Sequence, residues 1–170
     1  MLKLQIFLDQ LAEWSGRLLS WLALFLVLTT FTVVVLRYVF NFGSIALQES
    51  QLYLHASLFL LTAAYTLKHE GHVRVDIFYR GASAVTQAWV NLFGALFLLL
   101  PTCLFISWIS WDYVATAWSL REGSREAGGL PYVYLLKTLI PLSAILLALQ
   151  GFRQVLQSYI VLLDLDREPT

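Results

Sequence analysis

The sequence predicts an all-α integral membrane protein: a bundle of four transmembrane helices with an N-terminal interfacial amphipathic helix, forming one domain over residues 1–170. Three observations predict it. Of 170 residues, 59% are hydrophobic and only 13% are charged, whereas soluble domains carry roughly a quarter charged residues. Four apolar stretches each supply the about 20 residues needed to cross a ~30 Å hydrocarbon layer. Most of the charged residues lie outside these stretches.

Residues 2–16 come first. At helical spacing Leu4, Phe7, Leu8 and Leu11 share a face, continued by Leu18, while Lys3, Gln5, Asp9, Gln10, Glu13 and Arg17 take the other. That pattern predicts a helix lying in the membrane interface, a level that also suits Trp14. Polar residues persist to Arg17 and no small-residue cleavage site follows, so the first apolar run is expected to be retained as a span and not removed as a leader.

The four spans are predicted over residues 18–40, 44–68, 84–118 and 130–160. The last two exceed one crossing and are expected to tilt or to project beyond the lipid. Pro101 and Pro141 would kink them, which neighbouring helices tolerate by satisfying the freed carbonyls. An even number of spans places both termini on one side. With the N-terminus inside, inner segments hold Lys3, Arg17, Lys68, Arg74, Arg80, Arg153 and Arg167, against Arg37, Arg121, Arg125 and Lys137 outside. The basic bias therefore predicts cytoplasmic termini.

Several functions are excluded by content. Eleven basic and eleven acidic residues leave no excess to hold nucleic acid. The single cysteine, Cys103, rules out an internal disulfide, a CxxC redox pair or a cysteine cage for metal. Three histidines exist, His55, His69 and His72. His55 and His69 lie on one helix roughly 21 Å apart, and no second helix offers a histidine at the depth of His55, which argues against a bis-histidine haem. His55 is expected to be structural, hydrogen-bonded within the bundle.

On the second span Gln48, Gln51, His55, Thr62 and Thr66 form one polar stripe beside Ala56 and Ala63. Small and hydrogen-bonding residues on one face are what helix association in lipid uses, so the stripe is expected to face protein. Three ionisable residues lie inside spans: Glu49, Asp112 and Lys137. They sit at similar depth from the outer ends, which predicts that Lys137 is neutralised by Asp112 or Glu49 as a structural clamp. A transport site made from them is disfavoured because no second carboxylate lies near the middle of the membrane. Trp108, Trp111, Tyr113, Trp118, Tyr132 and Tyr134 read as an interfacial aromatic belt. The cytoplasmic loop KHEGHVRVDIFYRG carries His69, Glu70, His72 and Asp76, which are ligand types for a metal. A solvated loop that sets topology is the expected reading.

The order of these features resembles the small membrane subunit of tripartite ATP-independent periplasmic (TRAP) transporters. Three pieces carry the resemblance: VVVLRYVFNFGSIALQES, an arginine with aromatics leading to an acidic helix start; LFLLTAAYTLKHEGHVRVDIFY, a span running into a basic loop that closes on Val-Asp; and Leu130-Pro131 with Pro141 at the last span. The HVRVD element is the most specific. Where the family often has two acidic residues, this chain has Gln48 and Glu49. The resemblance implies a scaffold subunit in a bacterial inner membrane, with no transport site of its own. It also implies a large multi-span partner that carries an organic acid, typically a carboxylate, with sodium, and a periplasmic substrate-binding protein that delivers it.

The chain is accordingly expected to be a non-enzyme without cofactor or metal, in contact with membrane lipids and with the large subunit. Arg37, Gln48, Glu49, Gln51, His55, Lys68, His72, Arg74, Asp76, Asp112 and Lys137 are the expected contact or positioning residues, with Arg37 as an intersubunit ion partner. A small proton-coupled exporter and a membrane anchor for an oxidoreductase are the alternatives.

Overall fold

Long apolar runs become long helices. The computed structural model describes residues 2–72, 79 and 81–165, and these form four: α1 (Leu2–Tyr38), α2 (Ile45–Lys68), α3 (Ala84–Ser119) and α4 (Val133–Leu165). Within α1 the hydroxyls of Thr29, Thr30 and Thr32 donate to carbonyls one turn back, at 2.7–2.8 Å. A hydroxyl satisfied by its own helix needs no partner in lipid. Ser44 and Ser83 cap α2 and α3 by accepting the Leu47 and Thr86 N–H groups.

The C-terminal ends of α1, α2 and α3 each lead to a non-glycine residue in the left-handed region: Asn41 (φ 49°), Glu70 (φ 53°) and Arg121 (φ 46°). Each reversal brings a later N–H back onto an otherwise orphaned carbonyl: Phe42 to Leu36, Gly71 to Thr66 and Glu122 to Ala117, at 2.9–3.0 Å. Satisfying the last carbonyls is what such helix ends accomplish.

Three of the helical stretches are long and apolar enough to cross a membrane: Ile6–Tyr38, Ala84–Ser119 and Val133–Leu163. Helix α2 has the length, at 24 residues, but Gln48, Glu49, Gln51 and His55 dilute its apolar character. The N-terminal segment expected as a separate interfacial helix is helical, yet it runs without a break into the first apolar stretch. Helix α3 widens to π-helical turns over Gly94–Leu99, just before Pro101, whose missing N–H leaves the ladder short of a donor. Pro141 is accommodated inside α4.

The helices pack as an open row, α1 on α2, α2 on α4 and α4 on α3, with only a smaller α1–α4 contact near one end. Contact surfaces are made of small residues. Among the described residues Ala12, Ala64, Ala88, Ala95, Cys103, Ala117 and Ala144 are buried, while no large side chain is fully enclosed. Gly16 lies so close to the Tyr65 ring that a Cβ there would overlap it, and one on Gly151 would come within 2.7 Å of Leu99. Backbones approach this closely because helices in lipid gain by packing and not by hiding apolar surface from water. Trp108, Phe59 and Leu98 accordingly point outward, 70–80% exposed.

Candidate functional site

Polar groups gather at the two ends of the row, and a third set, on α2, makes no side-chain hydrogen bond among the described residues. At the end holding the turn between α3 and α4, Glu49 reaches from α2 to that turn. Its carboxylate accepts the Leu130 N–H at 2.6 Å and the Ser124 hydroxyl. Ser124 in turn donates its own N–H to Leu130 O and accepts the Glu126 N–H. Gly129 leaves room for this arrangement, since a Cβ there would overlap Ser124 Oγ and lie 2.8 Å from Glu49 Oε1.

Beside it, Lys137 pairs with Glu122 at 2.5 Å and lies 3.9 Å from the centroid of the Tyr113 ring. The expected partners, Asp112 and Glu49, are therefore not the ones used: Glu49 is committed to the turn, and Asp112 is exposed on α3. Glu122 escapes the sequence reading because it lies beyond the end of span three, yet the left-handed turn at Arg121 folds it back over α4. Tyr134 N also donates to Glu122 O at 3.3 Å. Trp118 Nε1 donates to Thr138 Oγ1 at 2.8 Å and its ring meets Tyr134 edge-on at 4.8 Å, so part of the aromatic belt joins α3 to α4.

The opposite end holds an ionic cluster that the sequence does not signal. Glu13 Oε2 is approached by Lys68 Nζ at 3.0 Å and by His69 Nε2 at 3.1 Å, while Oε1 pairs with Arg17 at 3.1 Å. Lys68 also donates to Asp9 O at 2.9 Å. Asp9 closes the group from α1 to α4: Arg153 lies 2.9 Å from Oδ1, and its second nitrogen donates to Oδ2 at 3.1 Å. Helical periodicity puts Asp9 and Glu13 on a solvated face, and only their spacing of four residues points to a shared partner. His72 Nε2 lies 3.2 Å from Ala63 O. Arg74 and Asp76 lie outside the described residues. Among the described residues no three metal-ligating side chains converge.

The third set corrects another expectation. Gln48 and His55 are exposed or half-exposed, Gln51 is half-buried, and none of the three makes a side-chain hydrogen bond within the described chain. His55 is not hydrogen-bonded into the bundle; it stacks on Phe59 with ring centroids 6.3 Å apart. Thr62 and Thr66 bond their own helix, to Leu58 O and Thr62 O. Gln48, Leu52, His55 and Phe59 form an outward stripe on α2, and exposed Arg37 borders the same narrow crevice as Gln48 at the α1–α2 turn.

This arrangement holds helices together and presents side chains on its outer face. Comparison with known proteins supplies the context. A family model described as "Tripartite ATP-independent periplasmic transporters, DctQ component" matches residues 26–160. No curated protein and no solved structure matches the chain.

Proposed function

Because the chain belongs to the DctQ component family of tripartite ATP-independent periplasmic transporters, we propose that it is the non-catalytic scaffold subunit of such a transporter. It packs against a large membrane subunit that carries an organic acid with sodium, after a periplasmic protein has delivered it. The observation that carries this reading is the division of its polar groups. The charged groups between its own helices pair with one another or with backbone, whereas Arg37, Gln48 and His55 project outward from α1 and α2. Unsatisfied polar groups facing hydrocarbon are costly, so a protein partner over that face stabilises them. The open row of helices, without a closed core of its own, fits the same role.

Helix α2 is read as the fourth crossing. Its first turns meet the α3–α4 turn through Glu49, and its last residue meets the α1 N-terminal turns through Lys68. It thus extends between the two ends of the row, about 36 Å at 1.5 Å per residue. The basic groups gathered at the Lys68 end make that the cytoplasmic side of the inner membrane, with both termini there. Helix α1, at 37 residues, exceeds one crossing, and its first turns would ride in the interface, as the polar face of residues 2–16 suggests.

Co-expression tests the reading. A tag on this chain should capture a much larger multi-span protein in stoichiometric amount, and Gln48→Leu with His55→Leu should reduce that capture. Uptake of solute by vesicles holding this chain alone would overturn the scaffold role.

A further inference from the structure

Helix α2 leaves five of its residues exposed: Ile45, Gln48, Leu52, His55 and Phe59. They are spaced by three, four, three and four residues, the repeat with which one helix lays a continuous seam against another at a crossing of about 20°. The seam is about 21 Å long and alternates apolar with hydrogen-bonding residues at every step. The His55 and Phe59 rings lie along it, with centroids 6.3 Å apart. Every other residue of α2 is buried or half-buried, with α1 and α4 packed on its remaining sides.

Lipid is a poor match for this seam. On α1 the hydroxyls of Thr29, Thr30 and Thr32 bond their own helix, so the middle of that helix shows hydrocarbon no open polar group. Gln48 and His55 make no side-chain hydrogen bond among the described residues. Helix α2 is also the one long helix without the apolar content of a crossing. An amide and an imidazole facing hydrocarbon are costly, whereas between two helices they hydrogen-bond across the contact.

A second copy of this chain does not fit the seam. Copies inserted in one direction and related by a two-fold axis bring equal residues to equal height. Arg37 is exposed at the end of α1 beside Gln48, without an ion partner among the described residues, and would meet another arginine; like charges brought together oppose association. We propose that the seam receives one transmembrane helix of the large membrane subunit, crossing α2 at about 20°. That helix carries hydrogen-bonding residues level with Gln48 and His55, small or apolar ones level with Leu52 and Phe59, and a carboxylate level with Arg37. Alternation fixes the register, since a slip of one seam position sets each polar residue against an apolar one. Such docking rests on the scaffold reading above, with α2 as a crossing helix.

Photo-crosslinking in membranes that hold the tagged full chain and the co-expressed large subunit of its transporter tests it. Benzoylphenylalanine is placed singly at each of the five seam positions and, as controls, at Phe97 and Trp108, which are exposed on α3. Every seam position should link to the large subunit, all to one of its helices and in order of depth, and the controls should not. Capture by the tag reports that each variant still assembles; if a central position does not, Ile45 and Phe59 at the two ends carry the comparison. Arg37→Glu should lower capture about tenfold, and lysine in place of the carboxylate that the Ile45 and Gln48 links map nearby should restore it. Capture without any link from the seam, seam links between two copies of this chain, a wholly apolar partner surface opposite Gln48 and His55, or full capture by Arg37→Glu would each overturn the docking and leave the scaffold reading standing. No capture by the unaltered chain would overturn both.

Discussion

The carboxylate of Glu49 accepts the backbone N–H of Leu130 at 2.6 Å, so one side chain of α2 holds the turn that joins α3 to α4. It substitutes for the hydrogen bonds that an irregular turn at the membrane boundary cannot make to itself. Glu49→Ala leaves both the Leu130 N–H and the Ser124 hydroxyl without their acceptor. Hydrogen exchange at Leu130 should then quicken on the order of tenfold, and protease should cut near Arg125. Glu49→Gln should give an intermediate effect, because the amide oxygen still accepts one bond. Unchanged exchange in the alanine variant would mean that the turn is held by other contacts.

Lys137 supplies a second fastening at the same end. It is shared between Glu122 and the face of Tyr113, and a cation over an aromatic ring in a desolvated site gains electrostatically. Lys137→Met leaves the Glu122 carboxylate alone, whereas Lys137→Met with Glu122→Gln removes both charges. The single variant should melt below the double variant in detergent, since an uncompensated charge costs more than a deleted pair. The opposite order would show that the pair is not electrostatically coupled.

At the α1–α2 crossing, Gly16 meets the Tyr65 ring at a distance that admits no side chain. Gly16→Leu forces the ring or the helix to move, an overpacking change that typically costs about 1–3 kcal/mol. Thermal unfolding should fall accordingly, and Tyr65→Ala should restore part of the loss in the double variant. Cys103 gives an independent readout: 2% exposed as the sole cysteine, it should resist maleimide in the wild type and react once the helices separate.

Three of the helices are legible in the sequence because a membrane solvent writes its demand as uninterrupted apolar length, whereas α2 forms where a helix is expected without the apolar content of the others. Helix ends are less so. Asn41, Glu70 and Arg121 adopt positive φ, a conformation usually signalled by glycine, and no glycine stands at these three positions to mark it. Ion partners are the least legible: ranking candidates by depth selects Asp112 and Glu49 for Lys137 and cannot see that the turn after α3 folds Glu122 back. His55 shows the converse. Its place on a polar stripe is readable, but a stripe satisfied by one's own helices and a stripe offered to another chain have the same spacing.

The pair Asp9–Arg153 joins residues 144 apart in the chain, and with Glu13 and Lys68 it sets how the N-terminal turns of α1 sit against α2 and α4. Both side chains of the pair are about three-quarters buried, at 28% and 20% exposure, so neither is a freely solvated charge. Arg153→Gln should therefore loosen the first turns of α1, visible as faster amide exchange over residues 6–16, while α3, which makes no part of this cluster, keeps its protection. Asp9→Asn with Arg153→Gln should recover part of the protection, because the remaining amides bond each other without leaving a lone charge. Exchange spread evenly over all four helices would instead mean that the cluster stabilises the whole row and does not act as a local anchor for α1.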